Sequence, residues 1–440
     1  MRQRLIVGFV LMLGIVVSCA QNVVTATPPP APVAPPPAPT PIPPVTVVDS
    51  ASLQQKTLVG YQGWFSTPGD GSKVNGWNHW LRGRSPNQTP LVDMWPDLRE
   101  YDADELFSTP LTLPDGSPAK VFSSYKEKTV ARHFRWMQEA GIDGALLQRF
   151  LGEVQDPRFF DFRNQVTRNV VKGAETYGRV FAIEYDFSVR DAELLKKDWI
   201  FLVDTLEITT SSRYLRHKGR PLLALWGIGF KDRSGTAEQA QALIDWFHKD
   251  APEKYRASIM GGVPEGWRTG TNSAHSGAAW ANVYRSLDII SPWAVGRFAD
   301  NAGADRFNQN FIVPDLLETK RLGIEYMPVI FPGFSWRNLK NATANEIPRN
   351  GGRFYWNQVY NAASSGATMM KTAMFDEVDE ATAIFKISQS NASAPVEFPM
   401  VNLDADGEAL PSDWYLRLTG AATKVLKKKI ELTRDLPIRP

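Results

Sequence analysis

The stretch MMKTAMFDEVDEA, residues 369–381, runs from an apolar segment directly into four carboxylates. A buried strand is predicted over Met370–Phe375, and the carboxylates follow it at once. Because burying unpaired carboxylates is costly, we expect them where the strand leaves the core. In a β/α barrel, active sites lie at that end of the strands. A solvated acidic loop is the alternative interpretation of such a charge run.

Apolar runs alternate with amphipathic segments along the rest of the chain. Strands are predicted at Leu58–Phe65, Gly144–Phe150, Val180–Phe187, Pro221–Ile228, Ala257–Val263, Leu287–Val295, Ile324–Phe331 and Met370–Phe375. Helices are predicted at Thr129–Ala140, Phe162–Tyr177 and Ala237–Phe247. This alternation predicts an α/β protein, a (β/α)8 TIM barrel, with residues 66–128 as a long insertion after strand one. A doubly wound sheet is disfavoured because the sequence has neither a GxGxxG nor a P-loop pattern.

Residues 1–19 are predicted to be a lipoprotein signal peptide. The apolar stretch Leu5–Val17 follows two arginines and is too short to span a membrane as a stable helix with these flanks. VVSC at residues 16–19 resembles the lipobox of bacterial lipoproteins, in which the cysteine is lipidated after cleavage. Cys19 is the only cysteine in the chain, so an intramolecular disulfide is excluded. An ordinary secretory signal with an incidental cysteine is the alternative.

Residues 20–50 are predicted to be a Pro-rich linker. Residues 28–45 read PPPAPVAPPPAPTPIPPV, which cannot pack a core and favours an extended polyproline spacer. The folded domain is assigned to residues 51–430. The expected location is therefore the bacterial cell envelope, with the domain held at the outer membrane, in the periplasm or at the cell surface by a lipid at Cys19.

Composition argues against several classes of function. The 49 basic and 47 acidic residues leave a net charge of +2, which provides no strong field for nucleic acid. With five histidines and one cysteine, a His/Cys metal site is disfavoured, and no metal or other cofactor is expected. DADG at residues 404–407 hints at a calcium loop, but its glycine comes too early for an EF-hand. A monomer is expected.

Aromatic or charged residues follow every predicted strand. The chain has 14 tryptophans, and Trp and Tyr faces that are not needed in the core are surfaces on which sugar rings stack. Paired carboxylates among such aromatics suggest glycoside chemistry, in which one group protonates the leaving oxygen and another acts as base or nucleophile. The candidate carbohydrate-binding residues are Tyr61, Trp64, His79, Trp80, Gln148, Arg149, Glu184, Asp186, Trp226, Trp267, Trp293, Arg297, Trp336, Asp376 and Asp379. Burial in the core is the alternative for any single one, Trp226 for instance.

Several motifs together resemble one known family. They are VGYQGWF at residues 59–65, GWNHW at 76–80, GIDG at 141–144, MPVIFPG at 327–333 and FDEVDE at 375–380. These segments resemble the glycoside hydrolase family 71/99-like proteins, which are related to the endo-α-1,2-mannosidases of family 99. The resemblance covers about residues 55–425. It implies a (β/α)8 barrel and retaining hydrolysis of α-glycosidic bonds.

The resemblance also implies the roles of two carboxylates. Family 99 places two glutamates three residues apart after strand eight, in a segment like Asn-Glu-Trp-His-Glu, and the matching residues here are Glu377 and Glu380. By that analogy Glu380 is the general acid/base, and Glu377 deprotonates the sugar's own 2-hydroxyl, which then attacks the anomeric carbon. Asp376, Val378 and Asp379 stand where that pattern has Asn, Trp and His. Some relatives are labelled xylosidase/arabinosidase, which points to pentose substrates.

The residues alone lead to the same chemistry. Like charges and burial at one strand end must raise the pKa of at least one carboxyl, and a raised carboxyl is the proton donor that a glycosidase needs. A non-catalytic glycan-binding lipoprotein on the same barrel is the rival hypothesis. An envelope lipoprotein with a structural role is a third, disfavoured by the aromatic strand ends. The barrel hypothesis also predicts that Tyr61, Glu184, Trp226, Trp293 and Glu377 open on one face.

Overall fold

A computed structural model of the protein describes residues 46–83 and 87–440 and shows the predicted (β/α)8 barrel. The barrel strands are Thr57–Tyr61, Gly144–Phe150, Val180–Asp186, Arg220–Trp226, Ser258–Val263, Ile289–Pro292, the two segments Glu325–Tyr326 and Val329–Ile330, and Met370–Thr372. Neighbouring strands pair in parallel, and the eighth strand pairs with the first. The predicted lipidation site, Cys19, lies outside the described residues.

The seventh strand is interrupted. Glu325–Tyr326 pairs with the sixth strand, whereas Val329–Ile330 pairs with the eighth. Pro328 lies between the two segments and has no N–H to donate to a ladder. Its carbonyl still accepts a hydrogen bond of 3.0 Å from the Lys371 N–H. The sequence predicts one continuous strand at Ile324–Phe331. In the structure two short segments of this region close the barrel, and each pairs with a different neighbour.

The second and third strands are almost entirely buried and approach each other closely. Almost every residue of GALLQRF and VFAIEYD is buried, as expected of parallel strands that are covered on both faces. Gly144 begins the second strand where the backbones approach closely, because a Cβ there would lie 1.9 Å from the Val180 carbonyl oxygen. The glycine thus permits the pairing on which the neighbouring cleft wall depends.

Helices cover the outside of the barrel. The α-helices are Glu127–Ala140, Leu151–Val154, Pro157–Tyr177, Ala192–Asp204, Ala237–Asp245, Ala278–Arg285, Asn301–Phe307, Val313–Leu322, Arg337–Lys340, Arg353–Ser364 and Trp414–Leu426, with π-helical turns at Trp246–Asp250 and Asn308–Ile312. The helix predicted at Phe162–Tyr177 begins earlier because Asp156 caps it, accepting a hydrogen bond from the Arg158 N–H, with a proline at its first position. Within the described residues, no helix is long and apolar enough to cross a membrane.

The insertion after the first strand folds over the carboxyl ends of the strands. It contains the hairpins Leu81–Arg82 with Thr89–Pro90 and Leu106–Thr112 with Pro118–Phe122. Between them, the N–H groups of Asp93 and Met94 both donate to the Val378 carbonyl, at 2.9 and 3.1 Å. The insertion therefore braces the acidic segment that follows the eighth strand.

Candidate active site

A cleft of about 610 Å³ opens at the carboxyl ends of the barrel strands. Its lining residues are Gln62, Trp64, Gln148, Phe150, Asp186, Trp226, Phe230, Asp232, Trp293, Val295, Gly296, Arg297, Phe334, Trp336, Glu346, Met374, Glu377 and Glu380. The cleft thus brings together nine of the sequence-predicted residues: Trp64, Gln148, Asp186, Trp226, Trp293, Arg297, Trp336, Glu377 and Glu380. Carboxylates and tryptophans from opposite sides of the barrel meet in this one space.

The acidic segment forms a turn that is held at several points. The N–H groups of Thr382 and Ala383 both donate to the Glu377 carbonyl, at 3.1 Å. The Ser335 N–H donates to the Glu380 carbonyl at 2.9 Å. The buried Arg349 guanidinium donates to the carbonyls of Ala381 and Ala383, both at 2.7 Å. The two glutamates are therefore carried on a rigid backbone.

Glu377 is buried and doubly hydrogen-bonded. Its Oε1 accepts from Gln62 Nε2 at 2.6 Å, and its Oε2 accepts from Thr382 Oγ1 at 3.0 Å. Burial, followed by the charges of Glu380 and Asp379, raises the pKa of Glu377 well above its usual range. Both carboxylate oxygens are fixed in direction by donors that do not carry a charge.

Glu380 is partly buried at the cleft wall. Burial and the neighbouring Asp379 charge raise its pKa to about 7, against the indole of Trp336 and the charge of Lys340, which lower it. A carboxyl with that pKa holds a proton through much of the range below neutrality. Because the two cleft glutamates repel each other when both are ionised, the pair binds its first proton at a higher pH than an isolated carboxylate would.

Asp376 does not line the cleft, although it was a candidate for sugar binding. Its Oδ1 accepts from the Gln62 N–H at 2.7 Å and its Oδ2 from the Gly63 N–H at 2.9 Å. Burial raises its pKa to about 7. Asp376 therefore fixes the chain that leaves the first strand, and so orients the Gln62 side chain toward Glu377.

Tyr61 and Arg149 also lie away from the cleft. The Tyr61 hydroxyl pairs with His133 Nδ1 at 2.8 Å, on the helix Glu127–Ala140. The guanidinium of Arg149 donates to Asp198 Oδ1 at 2.6 Å, on the helix Ala192–Asp204. Successive residues of a strand point to opposite faces, so the residue next to a cleft-lining glutamine points outward to the helices. Tyr61 and Arg149 therefore do not face the cleft, and their prediction as sugar-binding residues is wrong.

Two predicted tryptophans are core residues. Trp80 is fully buried and donates from Nε1 to the Phe122 carbonyl at 2.9 Å. Trp267 is 1% exposed and donates from Nε1 to Asp315 Oδ2 at 2.8 Å, outside the cleft. Neither indole offers a face to a sugar in the cleft, because both side chains are buried and neither lines it. The core alternative is therefore the correct one for these two.

Glu184 lies inside the barrel, beneath the cleft. Its two carboxylate oxygens accept from Lys371 Nζ at 2.5 and 2.7 Å, and both side chains are 1% exposed. Gln148, which lines the cleft, also donates to Glu184 Oε2. The ion pair thus supports the cleft floor without being open to solvent.

Aromatic side chains form much of the cleft wall. Trp64 stacks on His79, with ring centroids 3.6 Å apart, and on Phe150 at 5.1 Å. Trp226 and Trp293 meet edge to face at 5.5 Å. Such walls suit the apolar faces of sugar rings.

Two charged residues of the cleft wall form ion pairs with residues outside the lining. Asp186 Oδ1 accepts from Arg233 Nη1 at 2.8 Å, and Arg297 Nε lies 3.5 Å from Glu265 Oε2. In the part of the chain that the structure describes, no group of three or more His, Cys, Asp or Glu residues could hold a metal ion.

Sequence reasoning missed half of the lining. The missed residues are Gln62, Phe150, Phe230, Asp232, Val295, Gly296, Phe334, Glu346 and Met374. The position of Gln62 was predictable, because neighbouring residues of a strand point to opposite faces. With Tyr61 directed outward, Gln62 faces the barrel interior. Phe150 ends the second strand and Met374 closely follows the eighth, so both also lie at strand ends. The others lie on loops whose course no local pattern specifies.

Comparison with solved structures supports the barrel fold. No model of a known protein family matches the sequence, and no curated protein does. The structure is similar to that of the GH99 endo-alpha-mannosidase from Bacteroides thetaiotaomicron, with a TM-score of 0.62 and 14% identity over 86% of this chain and 99% of that chain. It is also similar to a glycoside hydrolase-like protein, with a TM-score of 0.52 and 13% identity over 88% of this chain and 97% of that one. The structural likeness expected from the sequence motifs is thereby confirmed for the fold.

Proposed function

We propose that the protein is a glycoside hydrolase that cleaves α-linked oligo- or polysaccharides. The observation that carries this proposal is the placement of Glu377 and Glu380, both with a raised pKa, on one tryptophan-lined cleft. The cleft lies at the end of the barrel where enzymes of this fold carry out their chemistry. The GH99 endo-alpha-mannosidase, a structural neighbour over most of the chain, lends further support.

In the proposed reaction, Glu380 donates its proton to the glycosidic oxygen as the bond to the anomeric carbon breaks. The ionised Glu377 either bonds to that carbon as the nucleophile or takes the proton of the sugar's own 2-hydroxyl, whose oxygen then bonds to the carbon. Water next attacks the same carbon: Glu380 takes a proton from the water as the new C–O bond forms, and the bond to Glu377 or to O2 breaks. In the second case Glu377 returns its proton to O2, so both glutamates regain their starting states, and the two displacements retain the anomeric configuration. Proton transfer by a positioned group accelerates such a step by about 10²–10⁴-fold.

A non-catalytic glycan binder is the second candidate. It would use the same aromatic wall, but it has little use for two buried carboxyls, whose burial is unfavourable for folding. Incubation with a panel of α- and β-linked glycans, including mannosides, xylosides and arabinosides, separates the two candidates. Released reducing sugar from any member supports the hydrolase, provided that Glu380→Gln loses the activity. Binding of a glycan with no product from the whole panel would support the binder.

The activity should fall as the pH rises through about 7. Glu380 must be protonated to act as the acid, and burial together with Asp379 raises its pKa to about 7. The basic limb of the kcat/KM profile reports the acid of the free enzyme, so we expect its midpoint near that value. An activity that stays constant up to pH 9 would show that Glu380 is not the proton donor.

We also propose that the enzyme is anchored in the cell envelope by a lipid at Cys19. The lipobox-like VVSC at residues 16–19 and the Pro-rich tract after it motivate this location. One acyl chain binds a membrane only marginally, so stable anchoring needs more than one. We expect Cys19→Ala to move the protein from the membrane fraction to the soluble fraction, as measured by fractionation and immunoblotting. Unchanged partition of the variant would contradict the anchor.

A further inference from the structure

His79 and Asp379 form a pair beside the two cleft glutamates. His79 Nδ1 lies 2.8 Å from Asp379 Oδ2, and the Asp379 side chain is only 2% exposed. The second oxygen of Asp379 has no hydrogen-bond partner among the described residues. Asp379 lies between Glu377 and Glu380 in the same turn, so its orientation relative to both depends on His79.

His79 is itself held firmly. Its ring stacks on Trp64 at 3.6 Å between centroids and 3° between planes. Its backbone adopts a φ of 60°, and Ala381 on the facing turn adopts a φ of 52°. Residues other than glycine occupy this left-handed region at an energetic cost, and they do so where the surroundings impose it, often at functional sites. The insertion loop thus delivers the imidazole to one particular carboxylate.

Other charged groups pack against the turn from several elements. They are Asp93 from the insertion, Lys340 from the helix Arg337–Lys340 and Arg349 before the helix Arg353–Ser364. The turn itself also carries Asp376 and Glu377. Asp93 and Asp376 each accept two backbone N–H groups. Arg349 donates to backbone carbonyls. At Glu380 the Asp379 charge raises the pKa more than the Lys340 charge lowers it.

We propose that Asp379, oriented by His79, is a positioning residue that keeps Glu380 protonated and so sets the pH range of the reaction. The physical reason is that a fixed negative charge in a poorly solvated turn opposes the formation of a second one nearby. In support, the Asp379 charge raises the pKa of Glu380 and of Glu377. This role rests on the proposed function, because it assigns Glu380 as the acid. Its test, however, does not require turnover.

The test is a carboxyl titration followed by NMR on protein labelled with ¹³C at the glutamate carboxyls. The Glu380 signal is identified by its loss in Glu380→Gln. We expect a midpoint of about 7 in the unaltered protein, and a midpoint lower by about one pH unit or more in Asp379→Asn. His79→Phe keeps a ring to stack on Trp64 but removes the Nδ1 donor. It should lower the midpoint in the same direction, and the double variant should go no lower than Asp379→Asn.

Asp232→Asn is the matched control, because it removes an exposed carboxylate from the same cleft without touching the turn. Its Glu380 midpoint should stay in place. An unmoved midpoint in Asp379→Asn, with a lower melting temperature, would show a merely structural role and overturn the proposal. A shift in Asp379→Asn that His79→Phe does not share would overturn the part played by His79. If Asp379→Asn fails to fold, His79→Phe decides alone. The expected shifts without hydrolysis of any glycan would support the proton-holding role and reject the hydrolase.

Discussion

Glu380→Gln is expected to lose about 10²–10⁴-fold in kcat/KM on glycosides with poor leaving groups. The amide keeps the shape of the side chain but cannot protonate the glycosidic oxygen. On activated aryl glycosides, which need less protonation, the loss should be much smaller. Glu377→Gln should instead slow both kinds of substrate alike, because it removes the base or nucleophile. The measurement is kcat/KM for both substrate types, together with a melting curve for each variant.

The two variants control for each other, since they make the same chemical change within one turn but remove different proposed roles. Both should fold and bind glycan, because neither change creates a cavity in the core. Removing a buried carboxyl that is difficult to ionise should even leave the proteins at least as stable at neutral pH. Near-normal turnover by either variant on the poor substrate would remove that glutamate from the mechanism. Asp379, the remaining carboxylate of the turn beside the cleft, would then be the next candidate.

Breaking the ion pair beneath the cleft should cost about 3–5 kcal/mol of folding free energy. Glu184→Gln leaves the Lys371 ammonium buried without a counter-charge, and Lys371→Met does the same to the carboxylate. Both side chains are 1% exposed, so water cannot replace the lost partner. The double variant Glu184→Gln/Lys371→Met should recover much of the loss, because it removes both charges together. Urea unfolding of the unaltered protein and the three variants measures the coupling.

A surface pair provides the control for this cycle. Lys73 and Asp161 also form an ion pair, but their side chains are 72% and 43% exposed. Lys73→Met should leave the unfolding curve nearly unchanged, because exposed pairs contribute little to stability. If the Glu184 and Lys371 variants behaved like Lys73→Met, the buried pair would have no structural importance for the cleft floor.

The barrel could be predicted from the sequence because its strands are local signals. The run Gly144–Phe150 begins with glycine and three apolar residues and follows a helix, and the structure has a strand with those same bounds. The break at Pro328 was also predictable in principle, since proline cannot donate to a ladder. The apolar run does not reveal that the residues before Pro328 and those after it both form strand pairings.

The site could be predicted only in part. Strand ends placed Gln148, Trp226 and Trp293 on the cleft, because the carboxyl ends of parallel strands meet on one face. The prediction for Arg149 is wrong because this residue follows the cleft-lining Gln148 in the strand and so points to the opposite face, toward the helices. Trp267 was misassigned for another reason. Its buried partner Asp315 lies on a helix distant in sequence, and no local pattern reveals that contact.

The interrupted seventh strand has a consequence for ligand binding. Each of its segments pairs with its neighbour at two positions, whereas the second and third strands pair at seven. We therefore expect local opening along this interrupted strand, here called the seam, to require less free energy than opening between the second and third strands. Trp293 lies on one side of this seam and Trp336 follows its far side, and both line the cleft. If the proposed glycan substrate contacts both indoles and binds only the closed form, its affinity and the opening equilibrium of this region are thermodynamically linked.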